Sequence, residues 1–128
     1  MEKISVLIVD DSAVVRHGLL SILRAFPDID PVGEAINGLD AIGKVEMLEP
    51  SVVLMDAQMP EMDGLEATQR IKERFPNVKV LFLTAHAEYL DAALAAGADG
   101  YLPKDSDRQT LVEKIRDLGA SRHSSDEI

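Results

Sequence analysis

Val6-Leu7-Ile8-Val9-Asp10-Asp11 carries four consecutive apolar residues straight into two carboxylates. Val52-Val53-Leu54-Met55 runs in the same way into Asp56, and Val80-Leu81-Phe82-Leu83 into Thr84. Such runs are short, continuous and rich in β-branched residues, the pattern of strands buried on both faces; a half-exposed strand alternates instead. Val32 to Ala35 and Gly100 to Leu102, the latter opened by Asp99-Gly100, are weaker strand candidates. Helical stripes lie between them. Val15, Leu19, Ile22 and Phe26 are ended by Pro27; Ala41, Val45 and Leu48 by Pro50; Leu65, Thr68, Ile71 and Phe75 by Pro76. Leu90, Ala93 and Leu94 precede Gly97, a C-terminal cap, and Leu111, Ile115 and Leu118 precede Gly119. Asp63 with Glu66, and Ser106 with Gln109, have capping-box spacing. Five βα units with short, right-handed connections predict an α/β fold, a doubly wound parallel sheet of five strands in the order 2-1-3-4-5.

The 128 residues fit one domain, and 46% apolar with 28% charged residues describes a globular chain. With no cysteine, a disulfide framework, a thiol nucleophile and cysteine-ligated metal sites are excluded. The start, Met1-Glu2-Lys3-Ile4, is followed by no long apolar region, and no run approaches the ~18 residues of a membrane helix. A cytoplasmic domain without membrane contact is expected. Thirteen basic against 23 acidic residues give a formal charge of −10, which disfavours direct contact with a phosphate backbone. Residues 1–118 are expected to form the domain. The polar, aperiodic stretch 119–128 reads as the start of a linker or a disordered tail.

In sheets of this kind ligands bind beyond the carboxyl ends of the strands. One step past them stand Asp10 and Asp11, Asp56, Thr84 and Lys104. With the switch between the first and third strands, all five converge on one pocket. Three carboxylates there repel one another, and a hard divalent cation relieves the repulsion; oxygen ligands favour Mg²⁺ over zinc. Lys104 offers a point charge and Thr84 a hydroxyl. The set suits phosphoryl transfer onto Asp56, because a carboxylate nucleophile carries no proton and needs no general base. Each residue also has a plainer role open to it. Asp-Asp-Ser can be an N-cap, Asp56 a turn former and Thr84 a cap of the fourth helix. No nucleotide-binding glycine spacing is present, and His17, His86 and His123 show no metal-ligand spacing. His17 is expected on an exposed helix face and His86 near the pocket mouth.

Together with Met59-Pro60, Asp63-Gly64, Leu83-Thr84-Ala85 and Gly97-Ala98-Asp99-Gly100-Tyr101, these strand ends resemble the response-regulator receiver domain, a flavodoxin/CheY-like (βα)5 fold. The motifs run in order from Lys3 to about Leu118. Val32-Gly33-Glu34-Ala35 with Asn37-Gly38, and Gly100-Tyr101-Leu102 running into Lys104-Asp105, are most similar to the LuxR/NarL subgroup. The resemblance implies that Asp56 accepts a phosphoryl group from a sensor histidine kinase. Asp11 would bind Mg²⁺ directly, Asp10 through water, and the Gln58 backbone carbonyl would complete the protein ligands beside Asp56. Lys104 and Thr84 would contact phosphoryl oxygens. Tyr101 would be the switch aromatic moving with Thr84, although a core aromatic fits its place equally well. Gln58, Ala85 and His86 would flank the pocket, at positions where the family varies the rate of phosphoryl loss.

That subgroup carries a DNA-binding helix-turn-helix after the receiver, so a C-terminal domain absent here is expected to make any DNA contact. The expected role is therefore signalling rather than metabolic catalysis, with intrinsic self-phosphorylation and dephosphorylation and with dimerisation on phosphorylation. A stand-alone interaction module and an Asp-nucleophile phosphohydrolase are the alternatives. The second is weakened by Gln58, where that phosphatase fold has a second aspartate. Pro103 before Lys104 is unusual for the family and puts the local backbone geometry in question.

Overall fold

In the computed structural model, residues 3–126 are described, the last six of them (121–126) by backbone alone. The elements alternate along the chain: β1 (Ile4–Val9), α1 (Ala13–Arg24), β2 (Ile29–Ala35), α2 (Gly38–Leu48) and β3 (Val52–Met55). There follow α3 (Gly64–Arg74), β4 (Lys79–Thr84), a short 3₁₀ turn (Ala87–Tyr89), α4 (Leu90–Ala95), β5 (Gly100–Pro103) and α5 (Arg108–Asp126). The strands form one sheet in the order β2-β1-β3-β4-β5, and every neighbouring pair is parallel.

Why the central strands read as unbroken apolar runs is visible in how the core divides. Leu7, Val9, Val53, Met55, Val80 and Phe82 face one layer, against Ala41 and Val45 of α2, Ala67 and Ile71 of α3, and Ala93 of α4. The residues between them, Val6, Ile8, Val52, Leu54, Leu81 and Leu83, face the other layer. There they meet Leu20 and Leu23 of α1 and Leu111, Val112, Ile115 and Leu118 of α5. Successive side chains point to opposite faces, so a strand covered twice must be apolar at every position.

Several expectations are corrected. β2 begins at Ile29, three residues earlier than the apolar pattern at Val32 indicates, and it takes in Pro31. Its register slips against β1 between Val6 and Leu7, which pair with Pro31 and Gly33. An edge strand tolerates both a proline and a bulge, and neither leaves an apolar signature. The buried stripe of α1 is Leu20 and Leu23, while Val15, Leu19 and Ile22 lie at its half-covered margin. α4 buries only Ala93; Leu90 and Leu94 are exposed, because one turn and a half against the sheet edge covers a single row.

The cap of α5 is Asp107, whose carboxylate accepts the Thr110 N–H at 2.8 Å, so the Ser106–Gln109 spacing is not a capping box. Nor does α5 stop at Gly119. It continues to Asp126, through most of the stretch expected to be a linker or a disordered tail; Glu127 and Ile128, like the side chain of His123, lie outside the described residues. A mid-helix glycine costs only about 1 kcal/mol, which the surrounding residues can offset. Gly97 does cap α4, at φ 102°: its N–H reaches Leu94 O and the Ala98 N–H reaches Ala93 O, a Schellman pair.

Candidate functional site

The carboxyl ends of β1, β3, β4 and β5 lie side by side, so the residues following them meet. Asp10 is held by its N–H to Ala35 O (3.1 Å) and Asp56 by its N–H to Val9 O (3.1 Å), each extending the sheet ladder by one residue. Ligand oxygens of Asp10, Asp11 and Asp56 lie within 4.8 Å of one another. Asp10 and Asp56 are buried, at 2% and 8% exposure, while Asp11 faces outward. Lys104 Nζ stands between the two buried carboxylates, 2.8 Å from Asp10 Oδ2 and 3.3 Å from Asp56 Oδ1. Thr84 is also buried, and its hydroxyl oxygen accepts the His86 N–H at 3.2 Å.

Local structure explains why these groups are available. The N-cap role open to the Asp-Asp-Ser run falls to Ser12, whose hydroxyl accepts the Val15 N–H at 3.3 Å. Asp10 and Asp11 are thereby left to the pocket, with Asp10 Oδ1 taking the Ser12 N–H at 2.9 Å. The loop after Asp56 is pulled close by Gly64: a Cβ there would stand 1.9 Å from the Asp56 carbonyl oxygen, which no side chain could satisfy. Asp63 then caps α3 by accepting the Glu66 N–H at 2.9 Å. Pro103 does no damage on the edge strand. It pairs in register with Thr84, and the Lys104 N–H donates to Thr84 O at 3.0 Å, so Lys104 is anchored by its backbone.

Burial, then the charge of Asp10, raises the Asp56 carboxyl above its ordinary value, and Lys104 only partly counters them. For Lys104 burial acts downward, but its bonds and proximity to Asp10 and Asp56 outweigh it and raise the ammonium. The pocket is therefore an ionised lysine shared between carboxylates, one of which is costly to ionise. A hard divalent cation fits this donor set of clustered oxygen ligands, with Asp11 open to solvent.

At the rim, Gln58, Ala85 and His86 are all exposed. Gln58 Nε2 donates to Tyr89 Oη at 2.6 Å, linking the loop after β3 to the turn after β4. Tyr101 is half-buried and donates from its hydroxyl to the His86 carbonyl at 2.9 Å; burial, then the Glu88 charge, raises its phenol. His17 is exposed on α1, as expected. Two neighbours of the site escaped the sequence: Tyr89, which has no periodic relation to Gln58, and Arg16, which looks like an ordinary helix-surface residue but donates to the Asp10 carbonyl. Only the sheet order could have placed either.

A parallel 2-1-3-4-5 sheet presenting three carboxylates, a threonine and a lysine at adjoining strand ends is the architecture of a signalling receiver. The chain belongs to the response regulator receiver domain family, whose description matches residues 6–116. Among its relatives, it is 44% identical to the response regulator protein VraR of Staphylococcus saprophyticus over 88% of this chain and 55% of that protein. It is 39% identical to the transcriptional regulatory protein DegU of Brevibacillus brevis, over 89% of this chain and 49% of that protein. The chain thus spans about half the length of the curated relatives it matches. Among solved structures, a LuxR-family two-component response regulator from Aurantimonas sp. superposes with a TM-score of 0.88 at 31% identity, covering 94% of this chain and 88% of that one. The response regulator domain of Thermotoga maritima CheB gives 0.86 at 33% identity, covering 93% and 98%. Among the described residues no helix is long and apolar enough to cross a membrane.

Proposed function

We propose that the chain is a phosphoacceptor switch, taking a phosphoryl group on Asp56 from a sensor histidine kinase and acting in the cytoplasm within a transcriptional regulator. The observation that carries this is the cluster of Asp10, Asp11 and Asp56 oxygens within 4.8 Å, with Lys104 bridging the two buried carboxylates. Mg²⁺, held by Asp10, Asp11, Asp56 and the Gln58 backbone carbonyl, would neutralise charge on the transferred phosphoryl oxygens. An Asp56 carboxylate oxygen attacks phosphorus; the new O–P bond forms as the bond from phosphorus to the donor imidazole nitrogen breaks, and the imidazole keeps that electron pair.

Lys104 then exchanges its contact with Asp56 Oδ1 for a phosphoryl oxygen. Thr84 gives up the His86 N–H and turns its hydroxyl to another, so the turn carrying the Tyr101 acceptor shifts with it. The switch needs only this difference in contacts between the two states. The new state favours self-association, and DNA contact belongs to a helix-turn-helix domain beyond this chain; the name of the DegU relative supports a role in transcription. Hydrolysis of the acyl phosphate by water returns Asp56, with Gln58 and His86 at the mouth setting its rate. The test is intact-protein mass after incubation with acetyl phosphate. One added phosphoryl group that requires Mg²⁺ and is lost in Asp56→Ala is expected; an unmodified protein refutes the reading.

A further inference from the structure

Behind the acidic cluster lies a cation that the phosphoryl chemistry does not use. Arg16, in the first turns of α1, is only 13% exposed and reaches back beneath the end of β1. Its Nη1 donates to the main-chain carbonyl of Asp10 at 2.8 Å, and its Nε donates to Glu34 Oε1 on β2 at 2.9 Å. Asp10 lies one residue beyond β1, where the ladder to β2 is closing: its N–H still reaches Ala35 O. Arg16 supplies the partner of its carbonyl. The peptide joining Asp10 to Asp11 is thus fixed from behind, and that peptide sets the direction of both carboxylates.

A guanidinium so close to a cation site would by itself repel the cation. Glu34, paired with Arg16 and registered against Ile8 on the neighbouring strand, cancels most of that charge while leaving the fork in place. Glu34 is itself secured, since Lys44 Nζ on α2 donates to its main-chain carbonyl. A tie between α1 and β2 alone would need only the Glu34 bond. The second fork nitrogen, aimed at a member of the carboxylate cluster, points to the site.

We propose that Arg16 is a positioning residue for the divalent cation, holding the Asp10-Asp11 turn in its binding geometry, and that Glu34 keeps the clamp from repelling the ion. The proposal rests on reading the three carboxylates as a cation site. It predicts a split between affinity and maximal rate, which a purely structural pair would not give.

The experiment is calorimetric titration with Mg²⁺ of the parent, Glu34→Gln, and the double variant Arg16→Met/Glu34→Gln, with melting curves alongside. The double variant keeps the net charge and removes only the clamp. Its Mg²⁺ affinity is expected to fall about tenfold at any ionic strength, as outer partners of metal ligands commonly require. Glu34→Gln keeps the clamp but leaves its charge uncompensated, so its loss comes from repulsion and shrinks as salt is added. In both, saturating Mg²⁺ restores the parent's rate of phosphorylation by acetyl phosphate. Should the double variant fail to fold, Arg16→Lys replaces it: an ammonium cannot reproduce the fork, and the same weakening is expected. Affinities within about twofold of the parent, with lowered melting temperatures, would reduce Arg16 to a structural tie and overturn the proposal. A parent that takes no Mg²⁺ removes the cation site itself; a parent that binds, with variants that match it, removes only the clamp.

Discussion

At the scale of single residues, two positions test how tightly the pocket is built. Gly64 lets the start of α3 press against the Asp56 carbonyl, and a Cβ there would overlap that oxygen at 1.9 Å. Gly64→Ala is therefore expected to cost about 3 kcal/mol or more in urea unfolding, as overpacking against backbone that cannot retreat. An alanine tolerated within about 0.5 kcal/mol would mean that the loop after β3 is not pinned. Asp56 tests the electrostatics. Its carboxyl is raised by burial and by Asp10, so its charge opposes folding in the absence of a cation. Asp56→Asn should melt higher than the parent in metal-free buffer at neutral pH, and Mg²⁺ should raise the parent more than the variant. A variant less stable than the parent without metal would show that Lys104 dominates instead.

Among the elements, the outer helices are tied down by ion pairs that can be titrated. Arg116 of α5 binds Asp28, between α1 and β2, through both carboxylate oxygens at 2.8 and 3.1 Å, and lies over the Phe26 ring. The Arg116 hydrogen bond holds the Asp28 carboxyl below its ordinary 3.8. A carboxyl depressed in the folded state binds its proton more tightly when unfolded. Its stabilisation is then complete above about pH 4 to 5 and lost as pH falls through the lower folded value. Asp28→Asn should be destabilised at pH 7, with a difference from the parent that narrows below pH 4. A difference independent of pH would assign the effect to packing against Phe26.

Elements also differ in how far the sequence revealed them. The central strands were legible because both faces are covered, and their ends delivered Asp10, Asp11, Asp56 and Thr84, while Lys104 follows the edge strand β5, whose half-covered pattern is weaker. β2 was only half legible, since an edge strand with a bulge and Pro31 breaks the apolar pattern. In α4 the Leu90–Leu94 row suggested a buried face, yet leucines on a short edge helix remain exposed. Ser106 and Asp107 both have capping chemistry, and spacing alone could not choose between them. The Gln58–Tyr89 and Arg16–Asp10 bonds join segments that only the sheet order makes adjacent.

For the molecule as a whole, the strand order turns separate residues into a site. β1 and β3 are neighbours, with β2 beyond one and β4 and β5 beyond the other, so the switch point falls where Asp10 and Asp56 emerge. Around it the rim network of Thr84, His86 and Tyr101 joins β4 to β5, the route by which the proposed phosphoryl charge at Asp56 would reach the surface of α4 and β5. All of this depends on where the phosphoryl group goes. The most direct measurement is to phosphorylate the protein with acetyl phosphate and Mg²⁺, trap the acyl phosphate with borohydride, and sequence the peptides by tandem mass spectrometry. The account predicts reduction of the side chain to an alcohol at position 56 alone; modification at Asp10 or Asp11 instead, or none that depends on Mg²⁺, would contradict it.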